Sequence, residues 1–245
     1  MSLRVAIAGS GGRMGQALQD AVKGAHGVVL ASAFDVGDDV RTALAQADVL
    51  IDFTRPEGTL DHLNACRDAK CSIVIGTTGF TTVQLESVRE AARAIPIVMA
   101  PNMSLGVNVA LKLVELAARA LGPEYDVEVF EMHHKLKVDA PSGTALKLGE
   151  VAARARGTTL EKDGAFARHG VTGERKPSAI GFSVARGGDI VGDHTVYFAG
   201  PGERIEITHR AASRATYAQG ALRAARFLQG KPAGLYDMAD VLGLR

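Results

Sequence analysis

The sequence predicts an α/β protein in which an N-terminal parallel β-sheet domain is followed by a second domain of α+β type. Short apolar runs alternate with helix-like stretches over the first hundred residues, as in a parallel sheet covered by helices on both faces. After residue 105 one long amphipathic stretch precedes strand-like runs separated by glycine-rich turns. The 245 residues, 47% of them apolar, suffice for one large domain or two small ones.

The first domain has five predicted strands, each a short apolar run. They lie at Val5–Ala8, Val28–Ala33, Val49–Phe53, Ser72–Ile75 and Ile97–Ala100. Helices are predicted from about Gly12 to Val22, from Pro56, and from Thr81 or Thr82. Proline is favourable in a first helical turn, and Gln84 stands at capping-box distance from Thr81. These elements predict a parallel sheet.

The remaining chain begins with a helix over Leu105–Leu121 that ends at Gly122-Pro123. A strand at Asp126–His133, a helix at Ser142–Arg156 and a long polar loop over 157–179 follow. Three more strands are predicted as an antiparallel meander, because glycine-rich turns separate them; they are Ile180–Arg186, Asp193–Ala199 and Arg204–Arg210. A last helix over Thr216–Gln229, which could return to the first domain, precedes a short tail.

Composition argues against several classes of function. The net charge is +1 and no Lys/Arg-rich run appears, so we expect neither nucleic acid nor membrane as a partner. No apolar run reaches transmembrane length, and the N-terminal residues lack the pattern of a signal peptide. Cys66 and Cys71 match no zinc or redox spacing. We therefore expect reduced structural thiols and a cytoplasmic protein.

A glycine-rich loop follows the first strand and opens a helix. Gly9 permits a tight turn, Gly11 or Gly12 permits close approach of the backbone to a pyrophosphate, and Gly15 permits close helix packing. The helix N-terminus offers N–H groups and a favourable dipole to phosphates. The spacing is Gly-x-x-Gly-x-x-Gly, so the strand–loop–helix context supports the dinucleotide-binding interpretation more than the glycines alone.

Asp35 ends the second strand, twenty residues after Gly15, where a ribose-binding acid is expected. Its carboxylate can accept hydrogen bonds from ribose hydroxyls but would repel a 2′-phosphate. The next residue is Val36, so no arginine stands beside Asp35 to hold that phosphate, although Arg13 and Arg41 stay open as partners. We therefore predict a preference for NADH, with NADPH also used.

The segment from Glu131 to Ala145 carries the most chemistry. His133 and His134 are adjacent at the end of a strand, so their side chains diverge. Lys137 adds a cation, and the helix that opens at Ser142 adds free N–H groups. This set suits a small, carboxylate-rich substrate and a proton donor. Zinc is not expected, because strand neighbours diverge and no third ligand has suitable spacing.

Several segments, in order along almost the whole chain, resemble the 4-hydroxy-tetrahydrodipicolinate reductase (dihydrodipicolinate reductase) family. The stretch from Glu131 to Ala145 is the most specific match. The other matching segments are Gly9–Gly15, Asp52–Gly58, Ile75–Phe80, Ala100–Asn108, Gly187–His194 and Ile207–His209. The resemblance implies a Rossmann-type dinucleotide-binding domain at 1–104 and a substrate-binding domain at 105–213 whose open sheet builds a homotetramer. It also implies that residues 214–245 return to the first domain.

The resemblance also implies roles for individual residues. His133 would donate or relay a proton and Lys137 would donate one, while the substrate carboxylates would be held by His134, Gly143 and Thr144. The cofactor would be lined by Gly9, Ser10, Gly11, Gly12, Arg13, Met14, Asp35, Gly76, Thr77, Thr78, Ala100, Pro101, Asn102, Met103, Arg214 and Tyr217.

The implied activity is NAD(P)H-dependent reduction of 4-hydroxy-tetrahydrodipicolinate, via dihydrodipicolinate, to tetrahydrodipicolinate in lysine and diaminopimelate biosynthesis. Two departures from the family pattern concern the cofactor domain: the chain is shorter between Asp35 and Asp48, and Met103 stands where some members carry Phe. Two alternatives are another dehydrogenase acting on a small amino or hydroxy dicarboxylate, and a non-catalytic NAD(H)-sensing protein.

Overall fold

The computed structural model describes residues 2–245, which form two compact units. One comprises residues 2–105 and Arg214–Arg245, and the other comprises Gly106–Ser213. The strands are β1 Leu3–Ala8, β2 Val28–Phe34, β3 Val49–Asp52, β4 Ser72–Ile75, β5 Pro96–Met99, β6 Asp126–His133, β7 Gly164–Ala165, β8 Ile180–Arg186, β9 Gly192–Gly200, β10 Glu203–Ala211 and β11 Gly234–Tyr236. The α-helices are α1 Arg13–Lys23, α2 Val40–Leu44, α3 Pro56–Ala69, α4 Thr82–Ala91, α5 Leu105–Leu121, α6 Gly143–Ala155, α7 Leu160–Asp163, α8 Ala215–Phe227 and α9 Met238–Leu242.

The first unit is built on a six-stranded sheet in the order β11-β5-β4-β3-β1-β2, and every pairing is parallel. The five strands predicted from apolar runs are confirmed. The short tail after the last predicted helix contains two elements that were not predicted, since β11 adds a sixth strand beside β5 and α9 follows it. With only three residues, β11 is too short for a periodic pattern to identify.

Helices cover both faces of this sheet, as the apolar runs indicated. Alternate residues of β1 enter opposite cores: Val5 and Ile7 lie in one cluster, and Ala6 lies in the other. The first cluster also contains Leu18 of α1 and Ala221 of α8. The C-terminal helix is therefore an integral layer of the first unit.

The helix starts follow the predicted local chemistry. Thr81 caps α4, accepting from the Gln84 N–H at 3.2 Å, while the Gln84 side chain accepts from the Thr81 N–H at 2.8 Å, so the predicted capping box is confirmed. Pro56 occupies the first turn of α3. The short helix α2, which no sequence pattern indicated, starts at Asp39, whose side chain accepts from the Arg41 N–H.

The second unit contains a five-stranded sheet in the order β10-β9-β6-β8-β7. The antiparallel pairing of β9 with β10 is confirmed, but the predicted three-strand meander is wrong. Strand β6 lies between β9 and β8, antiparallel to the first and parallel to the second. A glycine-rich turn can form a tight hairpin between neighbouring strands, or it can belong to a longer connection that passes over an intervening strand. Its presence therefore does not identify which strands pair.

One face of the second sheet is covered and the other is open. Val129 of β6, Leu148 of α6 and Val114 of α5 share a buried core. Alternate residues of β6 are buried, including Glu131 and His133, while Phe130, which precedes Glu131, is exposed and Met132 is partly exposed. The strand period of two therefore places Glu131 and His133 on the covered face.

The segment 157–179 is not the uniform loop that the sequence predicted. It contains α7 and the two-residue strand β7, which pairs with β8. Arg175 fixes the rest, donating to the carboxylates of Asp126 and Glu128 and to the carbonyls of Val127 and Ala179. Polar composition alone could not distinguish a flexible loop from one held by arginine side chains. No helix among residues 2–245 has the length and apolarity needed to cross a membrane.

Candidate active site

The glycine loop between β1 and α1 has the geometry of a phosphate cradle. Gly9 adopts a positive φ of 71°, and a Cβ on Gly15 would lie 2.1 Å from the Gly9 carbonyl oxygen. Helix α1 begins after Gly12 without a side-chain cap, so no side chain competes for its first N–H groups. An anion can therefore approach the helix N-terminus closely, which fits a dinucleotide pyrophosphate.

Asp35 lies beside this loop. Its carboxylate accepts from the Gly11 N–H at 2.7 Å and the Val36 N–H at 3.2 Å, and these bonds lower the pKa of Asp35. The side chain is exposed and ionised, as a ribose acceptor needs to be. Of the two arginines that could bind a 2′-phosphate, Arg41 pairs with Asp68 at 3.5 Å, whereas Arg13, the first residue of α1, is exposed.

A buried carboxylate organises the next two strand ends. Asp52 is fully buried at the end of β3 and accepts from Nδ1 of His62 at 2.8 Å. It also accepts from the N–H and hydroxyl of Thr54 at 2.8 and 2.6 Å and from the Thr77 hydroxyl at 3.3 Å. Burial would raise the pKa of Asp52, but the hydrogen bonds from His62 and Thr54 lower it. Gly76 admits no side chain, since a Cβ would meet the Phe53 ring at 2.2 Å.

The predicted cofactor residues are not equally accessible in the first unit. Thr77, Ala100 and Met103 are buried, whereas Thr78 and Pro101 are exposed and Gly76 and Asn102 are partly exposed. The Met103 side chain belongs to the core, and its carbonyl oxygen would lie 1.7 Å from a Cβ on Gly220 of α8. With 1% of the residue exposed, Met103 offers a cofactor almost no surface from either its side chain or its backbone.

Arg214 and Tyr217 stand at the start of α8, on the first unit. Arg214 is the residue that precedes the helix, and its carbonyl accepts from the Tyr217 N–H at 3.0 Å. Burial raises the pKa of the Tyr217 hydroxyl, so the phenol stays protonated. The loop at 9–14, Asp35, the 76–78 and 100–103 segments and the start of α8 all belong to this unit.

In the second unit, Glu131 and His133 form a buried pair. The Glu131 carboxylate is 1% exposed and hydrogen-bonds to Nδ1 of His133 through one oxygen, while the other accepts from the Ser142 N–H at 3.1 Å. Burial would raise the pKa of Glu131, but hydrogen bonds from Arg186 and His133 lower it below its ordinary value. Glu131 is therefore ionised, and it is hydrogen-bonded to His133, the predicted proton-transfer residue.

Arg186, the last residue of β8, completes the binding of that carboxylate. Its guanidinium donates to both oxygens of Glu131, at 2.9 and 3.0 Å. The same group donates to the Ala185 carbonyl at 2.7 Å and to the Asp139 carbonyl at 2.6 Å. Arg186 thus links the strand that carries His133 to the loop that carries Lys137.

Lys137 lies in the loop after β6, where its ammonium pairs with Asp139 at 2.7 Å. The lysine side chain is 21% exposed and the aspartate side chain 54%. Lys137 is near enough to His194 to contribute to the lowering of that residue's pKa. His134 follows the last residue of the strand and is half-buried. An exposed partner leaves the Lys137 charge available to an incoming carboxylate.

Ser142 begins helix α6 and connects it to the histidines. Its hydroxyl accepts from the Ala145 N–H at 3.2 Å and hydrogen-bonds to Nε2 of His194 at 3.1 Å. A Cβ on Gly143 would meet only open space, so this helix start is accessible. Burial, followed by the charge of neighbouring His133, lowers the pKa of His194 to about 4. His194 is therefore neutral near pH 7, and its ring lies 5.0 Å from that of His133.

Glu131, His133 and His194 bring their potential ligand atoms within 4.8 Å of one another, as metal ligands would. The contacts of Glu131 argue against that use. Both carboxylate oxygens are bound by the Arg186 guanidinium, and each accepts another hydrogen bond. A cation here would have to displace that guanidinium, so the prediction of no metal stands as a prediction.

Sequence reasoning did not identify Glu131, Arg186 and His194 as site residues. Glu131 could have been found, because residues two apart on a strand share a face and Glu131 precedes His133 by two positions. Arg186 and His194 could not, since they join the site through pairing of β6 with β8 and β9. Within the second unit the structure brings His133, Lys137, Ser142 and Gly143 to one end of β6.

Comparison with known proteins gives matches along the whole chain. The family domain described as dihydrodipicolinate reductase, N-terminus, matches residues 3–103, and the corresponding C-terminal domain matches residues 106–242. A 4-hydroxy-tetrahydrodipicolinate reductase from Aromatoleum aromaticum is 57% identical, with 100% of this chain and 97% of the relative covered. One from Dechloromonas aromatica is 54% identical, with 99% and 98% covered.

A solved structure supports the same family. The dipicolinate-bound dihydrodipicolinate reductase from Paenisporosarcina sp. TG-14 superposes with a TM-score of 0.82 at 26% identity, covering 98% of this chain and 99% of that one. The alignment with the Aromatoleum relative spans 267 positions, more than the 245 residues of this chain, so this chain lacks residues that the relative has. Full-length matches to both family domains and to curated members lead to one conclusion: the chain belongs to the dihydrodipicolinate reductase family.

Proposed function

We propose that this chain is a 4-hydroxy-tetrahydrodipicolinate reductase, which forms tetrahydrodipicolinate with NAD(P)H in lysine and diaminopimelate biosynthesis. Family membership over the whole length supports the reaction. The observation that carries it is the arrangement at the end of β6. There a buried histidine bound to Glu131, the Lys137 ammonium and the accessible start of α6 come from one short segment.

The substrate carries two carboxylates, and the second unit offers two kinds of group that bind them. The N–H groups at the start of α6 and the hydroxyl of Thr144 would hold one carboxylate. Lys137 would exchange its bond with exposed Asp139 for a bond with the substrate, with His134 beside it. Two anions are neutralised in this way before reduction begins.

The reduction adds a hydride and a proton across a conjugated cyclic imine that forms after loss of water. The nicotinamide cofactor, when bound, supplies the hydride. The protein stabilises the negative charge that develops in the ring through Lys137 and the helix N-terminus. The proton reaches the neighbouring ring carbon from His133 or Lys137, the two side chains of the segment proposed as proton donors.

The first unit would hold the dinucleotide. The start of α1 would bind the pyrophosphate and Asp35 the ribose of the adenosine half. An ionised Asp35 already close to the Gly11 N–H supports a preference for NADH. NADPH would still be used, because Arg13 begins α1 directly after the glycine loop and can pair with a 2′-phosphate.

Assembly and location are also proposed. The open face of the second sheet exposes Phe130 of β6 and, paired with it, Ser183 of β8, and we infer that this face builds a homotetramer, which sedimentation or light scattering would measure. Cys66 and Cys71 are both free and buried, as suits a reducing compartment. We therefore place the protein in the cytoplasm.

The activity is tested by supplying the condensation product of pyruvate and aspartate semialdehyde with NADH. We expect NADH oxidation that depends on the condensation product, with tetrahydrodipicolinate identified by mass spectrometry. Pyridine-2,6-dicarboxylate should compete with the substrate. Each precursor alone serves as the control. Absence of turnover with either cofactor, in protein that binds NADH, would contradict the proposal.

A further inference from the structure

The Glu131 carboxylate is saturated with hydrogen-bond donors. It receives two bonds from Arg186, one from the Ser142 N–H and one with Nδ1 of His133. An ionised carboxylate can only accept hydrogen bonds. The bond with His133 is therefore donated by the imidazole, and Nδ1 of His133 carries a proton.

This donation determines which tautomer the neutral ring adopts. A neutral imidazole has one N–H, so protonation of Nδ1 leaves Nε2 of His133 as an acceptor. Among residues 2–245, no hydrogen-bond partner is found for that nitrogen. A Cβ on Gly192 would lie 2.9 Å from it, so the absence of a side chain at position 192 keeps Nε2 unobstructed.

We propose that Glu131, held by Arg186, is the positioning residue for proton transfer: it keeps His133 protonated at Nδ1 and oriented so that Nε2 exchanges the proton. This inference rests on the proposed reductase function and deepens it. His133 would be the group that touches the substrate. Glu131 acts only through His133, and Arg186 acts through Glu131.

The proton balance follows from this arrangement. Nε2 of His133 takes a proton from solvent, and the imidazolium is stabilised by the adjacent carboxylate. After the hydride has arrived, the Nε2–H bond breaks and a C–H bond forms at the neighbouring ring carbon. The imidazole returns to its starting tautomer, and the proton on Nδ1 never leaves the hydrogen bond with Glu131.

Arg186 also connects the Glu131–His133 pair to the loop that carries Lys137. It donates to the carbonyl of Asp139, the residue whose side chain pairs with Lys137. One guanidinium therefore fixes both the carboxylate behind His133 and the loop of the other proton-transfer candidate. Lysine could not replace it, because an ammonium lacks the planar fork that reaches two oxygens and two carbonyls at once.

The direct test replaces Glu131 by glutamine, which keeps the shape and removes the charge. We expect kcat in Glu131→Gln to fall about 100-fold, the scale of a lost acid–base contribution. KM for the substrate and Kd for pyridine-2,6-dicarboxylate should stay within about threefold, because no substrate-binding group is altered. Glu128→Gln is the matched control: Glu128 lies on the same strand and is also held by arginines, but it contacts no histidine.

The ring nitrogens supply a readout that a purely structural role would not change. In protein labelled with ¹⁵N-histidine, with His133 assigned from the spectrum of a His133→Gln variant, we expect the neutral ring in the wild type to show a protonated Nδ1 and an unprotonated Nε2. Glu131→Gln should shift this population toward the Nε2–H tautomer, and Glu128→Gln should leave it unchanged.

Two results would overturn the proposal: near-normal kcat in Glu131→Gln, or a loss of kcat with an unaltered His133 spectrum. Should that variant fold poorly, Arg186→Lys tests the same link with the charges kept. It should lower kcat about tenfold and move the His133 signals in the same direction, and an unchanged spectrum contradicts the proposal. The wild-type tautomer is measurable without turnover, so a failure of the proposed activity and a failure of this inference are distinguishable.

Discussion

Each unit contains a buried carboxylate that accepts a hydrogen bond from Nδ1 of a histidine. In the first unit the pair is Asp52 and His62, and in the second it is Glu131 and His133. Hydrogen bonds lower the pKa of both carboxylates against the effect of burial. By composition and local geometry the two pairs are alike.

The two pairs differ in their surroundings. The remaining bonds of Asp52 go to Thr54 and Thr77, which fix the ends of β3 and β4. The remaining bonds of Glu131 go to a guanidinium and to the N–H of a helix-capping residue. The loop that carries the cationic Lys137 adjoins the second pair.

The comparison teaches that a buried carboxylate–imidazole pair does not by itself indicate catalysis. The first pair joins loops within a nucleotide-binding fold, and we expect it to act on stability. The second lies beside groups that bind anions and donate protons, and we expect it to act on rate. The following predictions test or sharpen this division, from the largest expected effect to the smallest.

Lys137→Met should give the largest effect. The side chains have similar reach, but methionine cannot neutralise or protonate the substrate. We expect kcat to fall about 100-fold or more, with a smaller rise in KM, measured by steady-state NADH oxidation. Lys135→Met, at an exposed position in the same loop, is the control. A Lys137→Met variant with near-normal kcat would show that Lys137 takes no part in the reaction beside the Glu131–His133 pair.

His194 should make stability depend on pH. Burial, then the charge of His133, lowers its pKa from 6.5 to about 4, so the unfolded chain binds more protons between these values. The stability that the neutral His194 gives the folded state is fully present above pH 6.5 and is lost as the pH falls toward 4. Between pH 7 and pH 5 it amounts to about 2 kcal/mol.

Urea unfolding at fixed protein concentration measures this effect. The free energy of unfolding should fall from pH 7 to pH 5 by about 2 kcal/mol more in the wild type than in His194→Gln, where no imidazole titrates. Equal pH dependence in both proteins would show that His194 is not the neutral neighbour of the second pair.

Local chemistry could be predicted from sequence, whereas strand partnership could not. The bounds of β4, α5, β6 and β8 match those predicted, because each has a clear apolar pattern and a definite end. The meander was wrong because neighbouring strands in a sheet depend on long-range packing. Arg186 was missed for the same reason, because it joins the site only through the pairing of β8 with β6.

Cofactor choice tests the first unit. With ionised Asp35 beside the glycine loop, kcat/KM should favour NADH over NADPH by roughly tenfold, as a charge-assisted bond to ribose would give. Asp35→Ser should reduce that ratio, and Asp35→Ser/Val36→Arg should move it toward NADPH. The ratio within each protein corrects for differences in active fraction. A wild type that prefers NADPH would show that Asp35 does not bind the ribose.

Thr144→Val should give the smallest effect. The change removes one hydroxyl at the start of α6 and keeps the shape. Loss of about 1 kcal/mol of binding would raise KM for the substrate roughly fivefold, while KM for NADH stays unchanged. An equal loss of NADH affinity would mean that this helix start does not bind the substrate carboxylate.

The most direct test of the division between the two pairs replaces each histidine by glutamine and measures two quantities in both variants. His133→Gln should lower kcat at saturating cofactor about 100-fold or more, while its free energy of unfolding falls by no more than that of His62→Gln, because both changes disturb a buried hydrogen bond to a carboxylate. His62→Gln should lower the free energy of unfolding by about 1–3 kcal/mol, the effect of disturbing a buried hydrogen bond, and keep kcat within about threefold. The reverse pattern, or a loss of kcat in both variants alike, would contradict the account.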